Sequence, residues 1–192
     1  MQRNALGFEA GVKEAFKYLS GYGFRVLNSE TTIVRYASAR VFLNVYHGRS
    51  SFELGIEIGL LGPRRKTEPG YPLSLLIRVK EPEVAAQFRN VAARTPESVK
   101  SGVTMLADQV RKYGQVALQG DVEEFKKLEE GRRRWAEDYA GEVLAEQIRP
   151  KAREAFQRQE YAKAADLYQR IRNVLSPGEQ KRLEYANKHR KD

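Results

Sequence analysis

The chain has 192 residues, 41% hydrophobic and 31% charged, a balance that describes a globular protein with a core and excludes a disordered chain. It has no cysteine, which excludes structural disulfides and thiolate metal sites, and no apolar run near the ~20 residues of a membrane span. The net charge is +9, and such a surface favours acidic partners: nucleic acid, an anionic membrane face or an acidic protein.

The N-terminus meets a charge before an apolar run can develop, so it does not read as a signal peptide, and a cytoplasmic location is expected. Phe8, Val12, Phe16 and Leu19 then recur at helical spacing on an otherwise polar segment. GYG at Gly21 to Gly23 ends that helix, because glycine takes the left-handed cap at no steric cost. Four strand-like segments follow. TTIVRYA alternates around Thr32, Val34 and Tyr36, and RVFLNVYH puts Val41, Leu43 and Val45 on one face. SFELGIEIGL is the clearest, with Phe52, Leu54, Ile56, Ile58 and Leu60 on one side and Ser51, Glu53, Gly55, Glu57 and Gly59 on the other. YPLSLLIRVK repeats the alternation through Leu73, Leu75, Ile77 and Val79. HGRS reads as a short hairpin connection and GPRRKTEPG as a longer exposed one. Alternation of this kind means one buried and one wetter face, so the sheet is antiparallel.

Beyond Pro82 the pattern is helical. Thr95 followed by Pro96 is a capping hydroxyl before a first-turn proline. Val99, Val103, Leu106, Val110 and Tyr113 make one seam, which wants a helix or the sheet against it. Asp121 and Glu124 have capping-box spacing ahead of a helix with Phe125, Leu128, Trp135 and Tyr139 on one stripe, read as core and interrupted at Pro150. Ser176 and Glu179 form a second box before the last helix. From Arg149 to Asp192 there are 12 Lys/Arg and 6 Asp/Glu, so this last quarter holds +6 of the net charge. The fold class is α+β: an antiparallel four-stranded sheet packed against helices, followed by a helical extension. The boundary is drawn as an α+β domain over 1–120 and a helical region over 121–192.

No part of the sequence announces a chemistry. His47, at a hairpin tip, and His189, near the C-terminus, lack HxH or HxxxH pairing, so no metal or cofactor is expected. No patterned nucleophile and base occur, and GPRRKTEPG lacks the spacing of a phosphate loop. Glu53 and Glu57 are the best carboxylate pair, but four residues of strand set their backbones about 13 Å apart, a poor fit to a glycosidase pair. Cross-strand ion pairing with Arg35 or Arg78 is the simpler reading. The run GRRRW invites phosphate binding and base stacking, yet Arg132, Arg133 and Arg134 spread around a helix and acidic residues follow at once.

The stretch Arg149 to Leu175, through Ala152, Tyr161, Ala164 and Tyr168 with Pro177 closing the second helix, resembles one tetratricopeptide-type helical hairpin. Lys151 stands where that family usually has leucine, Ala155 where it has an aromatic, and Ile171 where it has alanine. Such repeats bind peptides along a concave face, and the resemblance puts Arg149 and Arg153 on that face. The segments FKYLSGYGFRV, ARVFLNVYHGRSSFELGIEIGLL and YGQVALQGDVEEFKKL are similar to a recurring pattern in bacterial α+β proteins without an assigned activity. One such hairpin cannot bury its apolar face alone. It must dock on the preceding helix, on a second copy or on a partner.

The expectation from sequence is therefore a non-catalytic bacterial interaction or adaptor protein that recognises an acidic protein segment. Arg149, Arg153, Arg132 and Arg133 are its partner-binding residues. The alternatives are a toxin-neutralising immunity-type protein and a nucleic-acid binder. Weak nucleic-acid binding and a homodimer through the C-terminal helices stay open, and no membrane partner is expected.

Overall fold

The computed structural model describes residues 3–62 and 70–190. The exposed loop read from GPRRKTEPG lies, from Pro63 to Pro69, outside the described residues. The chain divides into two compact units, Met1–Gly131 and Arg132–Asp192.

In the first unit, helix α1 (Phe8–Ala15) leads through a 3-10 turn (Lys17–Tyr22) to Gly23, whose φ of 75° is the left-handed cap that glycine allows. Strands β1 (Arg25–Glu30), β2 (Ile33–Ala37), β3 (Val41–His47), β4 (Leu54–Leu60) and β5 (Tyr71–Pro72) form an antiparallel sheet in the order β1-β2-β3-β4-β5. Register sets Val34 beside Val45, Tyr36 beside Leu43, and Leu43 and Val45 beside Ile58 and Ile56. All six are buried, as the alternation predicts. Phe8, Val12, Phe16 and Leu19 join the same core, and so does the whole predicted seam of helix α4 (Pro96–Tyr113). The Thr95 hydroxyl accepts from Ser98 N at 3.2 Å, and Ser98 Oγ accepts from Thr95 N in return. Burying this many large apolar side chains is the dominant stabilising term for the unit.

The fourth expected strand is a correction. Only Tyr71 and Pro72 pair with β4, and the chain then turns into helix α2 (Leu73–Lys80). LSLLIRVK carries apolar residues at both spacings. Leu73, Leu76 and Ile77 form a helical face, and Pro72, extended at ψ 152°, launches the turn. Helix α3 (Pro82–Gln87) follows. The strand absent from the expectation is β1, an edge strand with nearly every residue exposed and a register shift between Val26 and Asn28. An edge strand with no buried face carries no alternation to read. His47 is a second correction: it ends β3 as a buried residue, not a hairpin tip. Its ring stacks on Phe8 at 5.5 Å and meets Phe52 edge-on. Its Nε2 lies 2.8 Å from the Ala93 carbonyl, which can only accept, so Nε2 carries the proton.

The short helix α5 (Gln115–Leu118) precedes α6 (Val122–Gln157), whose first turns, with buried Phe125 and Leu128, belong to the first unit. Asp121 caps α6 through Glu124 N at 2.8 Å. Glu124 does not close the expected box; its carboxylate sits 3.0 Å from Lys80 Nζ.

The second unit is built from the later turns of α6, α7 (Tyr161–Arg170) and α8 (Pro177–Lys188). Ala145, Ile148, Ala152 and Ala155 of α6 bury against Ala164, Ala165 and Tyr168 of α7 and Leu183 and Ala186 of α8. The α6–α7 turn is a Schellman closure. Glu160 N bonds Ala155 O at 2.9 Å and Gln159 N bonds Phe156 O at 3.1 Å, with Gln159 left-handed at φ 61°. Ser176 and Glu179 form the expected capping box of α8. Two expectations fail here. Pro150 does not interrupt α6: it lies on an exposed side, and the alanine-rich face around it stays continuously packed. Trp135 and Tyr139 are 49% and 64% exposed, so the stripe that begins buried at Phe125 is not core beyond Gly131.

Candidate functional site

Arg149 and Arg153 do converge on a carboxylate, and the chain itself supplies it. Arg149 donates to Glu142 Oε2 at 3.0 Å and to the Val174 carbonyl at 2.6 Å, and its Nε lies 3.4 Å from Glu179 Oε1. Arg153 Nη2 is 3.7 Å from the same Glu179 oxygen. Glu179 is 3% exposed, and its other oxygen accepts from Ser176 N. The pair thus ties α6 to the start of α8. Arg133 is exposed on α6, 4.0 Å from Glu137, and Arg132 is half-buried at the head of the same segment. Arg132 and Arg149 are 17 residues apart on one continuous helix, about 25 Å at 1.5 Å per residue, so the two arginine pairs stand well apart.

The wetter sheet face holds a polar ladder. Arg35, Asn44 and Glu57 are register neighbours on β2, β3 and β4. Arg35 Nε donates to Asn44 Oδ1 at 2.8 Å, and Asn44 Nδ2 donates to Glu57 Oε2 at 3.1 Å. Arg35 therefore reaches Glu57 only through buried Asn44, and Arg78 sits on α2 rather than on a neighbouring strand. Glu53 lies before β4 begins, in an isolated bridge with Ala92. Either side of the ladder, Tyr46 lies across Gly55 and Phe42 across Gly59, where a β-carbon would overlap each ring. Burial, then the charges of Glu57 and Glu53, push the Tyr46 hydroxyl above its ordinary pKa. One hydrogen-bonded carboxylate among aromatic–glycine pairs is a means of holding strands together.

The open end of the helical hairpin is different. Phe156 closes α6, Tyr161 opens α7, and Tyr185 and His189 stand one turn apart at the end of α8. Tyr185 and His189 stack at 3.9 Å with planes 17° apart, and Tyr161 meets Tyr185 edge-on at 5.5 Å. Phe156 lies 5.6 Å from Tyr161 and 5.7 Å from Tyr185. His189 Nδ1 faces the Tyr185 carbonyl at 2.8 Å, so that nitrogen is the donor and Nε2 is left as the second ring position. Burial, then neighbouring Tyr185, raises the Tyr161 hydroxyl pKa. Of these rings, Tyr161 and His189 line a cleft of about 730 Å³, together with Gln159, Glu160, Ala162, Lys163, Lys188 and Arg190. Lys163 bonds Glu160 at 2.9 Å and Arg190 lies 3.1 Å from Asp166. The cleft thus has an aromatic wall and a rim in which cations outnumber anions.

No family model matches the chain, and neither a curated protein nor a solved structure does. Its surfaces carry the functional argument. Among the described residues, no group of three or more His, Cys, Asp or Glu is placed to hold a metal ion, and no helix is long and apolar enough to cross a membrane. The aromatic cleft was open to sequence reasoning in one respect: Tyr185 and His189 are four apart in a helix. That Phe156 and Tyr161 come to meet them depends on the three-helix packing.

Proposed function

We propose that this protein is a non-catalytic interaction module that takes an acidic protein segment in the cleft between the α6–α7 turn and the end of α8. The carrying observation is the juxtaposition of Tyr161 and of His189, which stacks on Tyr185, with Lys163, Lys188 and Arg190 on one cleft. Rings supply apolar contact at low entropic cost, and the cations receive carboxylates. The hairpin's resemblance to a tetratricopeptide-type unit supports a peptide as ligand. Arg149 and Arg153 act in this reading from within, setting α8 against α6 so that the rings meet.

The test is fluorescence anisotropy of a labelled Glu/Asp-rich peptide with one aromatic residue, titrated with the full chain at physiological salt. Saturable binding, weakened at least about tenfold by the Lys188→Glu, Arg190→Glu double variant, is the expected result. Equal binding by that variant, or none by the wild type, would overturn the reading. A duplex DNA probe run alongside should lose its binding between ~50 and ~200 mM salt.

A further inference from the structure

On α6 the exposed side chains Trp135, Tyr139 and Val143 follow one another at steps of four, so they lie within about 80° around the helix axis. The same stretch has a charge polarity. Arg132, Arg133 and Arg134 precede the stripe, and Glu137, Asp138, Glu142 and Glu146 run along it and past its end. Three cations at one end and four anions toward the other make a segment that is complementary to its own reverse.

We infer that this face is an isologous interface between two copies of the chain, with the α6 helices antiparallel and the two-fold axis at Tyr139. That register sets Arg132 opposite the other copy's Glu146, Trp135 opposite its Val143, and Tyr139 opposite its own equivalent. Arg132, the arginine of the block that lies on this face, then meets Glu146 of the other copy at each end, while the apolar stripes meet in the middle. A parallel pairing would set arginine against arginine and acid against acid. The competing occupant is a nucleic acid, drawn by an aromatic beside three arginines. The four carboxylates on the following turns oppose a phosphate backbone there but suit a second copy. The interface does not depend on the aromatic cleft, whose residues belong to α7, α8 and the turn before α7.

Sedimentation velocity of the full chain over a concentration series is the experiment. A monomer–dimer equilibrium is expected. Arg132→Glu alone, or Glu146→Arg alone, should raise its dissociation constant about tenfold, and the two together should restore it to within about threefold. The chain has no cysteine, so a single introduced cysteine reports one contact. Tyr139→Cys, on the axis, should give a disulfide-linked dimer faster than Lys181→Cys on exposed α8. Tyr139, Glu146 and Lys181 are exposed and Arg132 is half-buried, so unchanged far-UV circular dichroism of each variant is the control for folding. A monomer at every concentration, reversals that do not rescue one another, or equal cross-linking at 139 and 181 overturns the inference. So does duplex DNA binding that Trp135→Ala abolishes in a chain that stays monomeric.

Discussion

Truncating Arg149 to alanine removes the centre of the clasp between α6 and α8. Arg149 is 25% exposed and makes three contacts, to Glu142, to the Val174 carbonyl and to Glu179, itself 3% exposed. Its loss leaves the Val174 carbonyl without that donor and removes the nearest cation from a buried carboxylate. A hydrogen bond to a charged group contributes roughly 1.5–3 kcal/mol, and breaking a fully buried ion pair costs roughly 3–5 kcal/mol. Water can reach a position that is one-quarter exposed, which places Arg149→Ala at about 2 kcal/mol. Arg153, 58% exposed and 3.7 Å from Glu179, is the internal control, and Arg153→Ala should stay within about 0.5 kcal/mol. Urea melts followed by far-UV circular dichroism, with hydrogen exchange of α7 and α8 amides, measure both. The same pair predicts a pH dependence. Burial pushes the Glu179 carboxyl up, but the backbone and hydroxyl of Ser176 and the charge of Arg149 outweigh it, and its pKa falls below 4.5. A depressed folded pKa stabilises fully above the unfolded value and loses its contribution as pH falls through the folded one. The deficit of Arg149→Ala should therefore shrink in acid. A variant as stable as Arg153→Ala, or a deficit constant into strong acid, refutes the argument.

The Tyr168 hydroxyl is buried and has no hydrogen-bond partner among the described residues, so Tyr168→Phe should raise stability by up to about 1 kcal/mol in a thermal melt. Gln159 occupies a left-handed cap without glycine's freedom, and Gln159→Gly should stabilise the second unit by about 0.5–1 kcal/mol, read by the same melt. Gly55→Ala would push a β-carbon into the Tyr46 ring and should cost roughly 1–3 kcal/mol, seen as a lower urea midpoint. A fragment ending at Gly131 retains the whole sheet core and should give a dispersed amide NMR spectrum; a collapsed one would show that the first unit is not autonomous.

Much of the first unit was legible because its elements bury one face. Val34, Leu43, Ile56 and the α4 seam from Val99 to Tyr113 sit where periodicity puts them. The Thr95, Asp121 and Ser176 caps were legible for a similar reason, since local hydrogen bonding needs particular residues at particular steps. β1 was not, because an edge strand that buries nothing leaves no period. LSLLIRVK reads as a strand because its leucines satisfy periods of two and of 3.6 together, and only the helix buries Leu76. The stripe from Phe125 is regular through Trp135 and so reads as core, but regularity does not say how far its cover extends. Arg149 meets carboxylates of the chain itself, Glu142 and Glu179, which its position in the sequence does not reveal. Which acid meets a cation depends on where α8 folds back, and local patterning does not encode that return.

The composition of the two cores differs in a way that bears on motion. Six of the eleven buried residues in the second unit's cluster are alanine, against four of thirty in the first. Alanine lets helix axes approach closely but removes little area from water, so each residue of the second unit gains less on folding. Its amides should exchange through local openings that leave the sheet intact, making this unit the first to loosen under denaturant or protease. Helices held by small contacts and one polar clasp can also slide by fractions of an ångström at little cost. The rings of Phe156, Tyr161 and Tyr185 ride on three such helices. The aperture between them is therefore adjustable, and a guest that fits it would be felt throughout the three-helix unit as slower exchange.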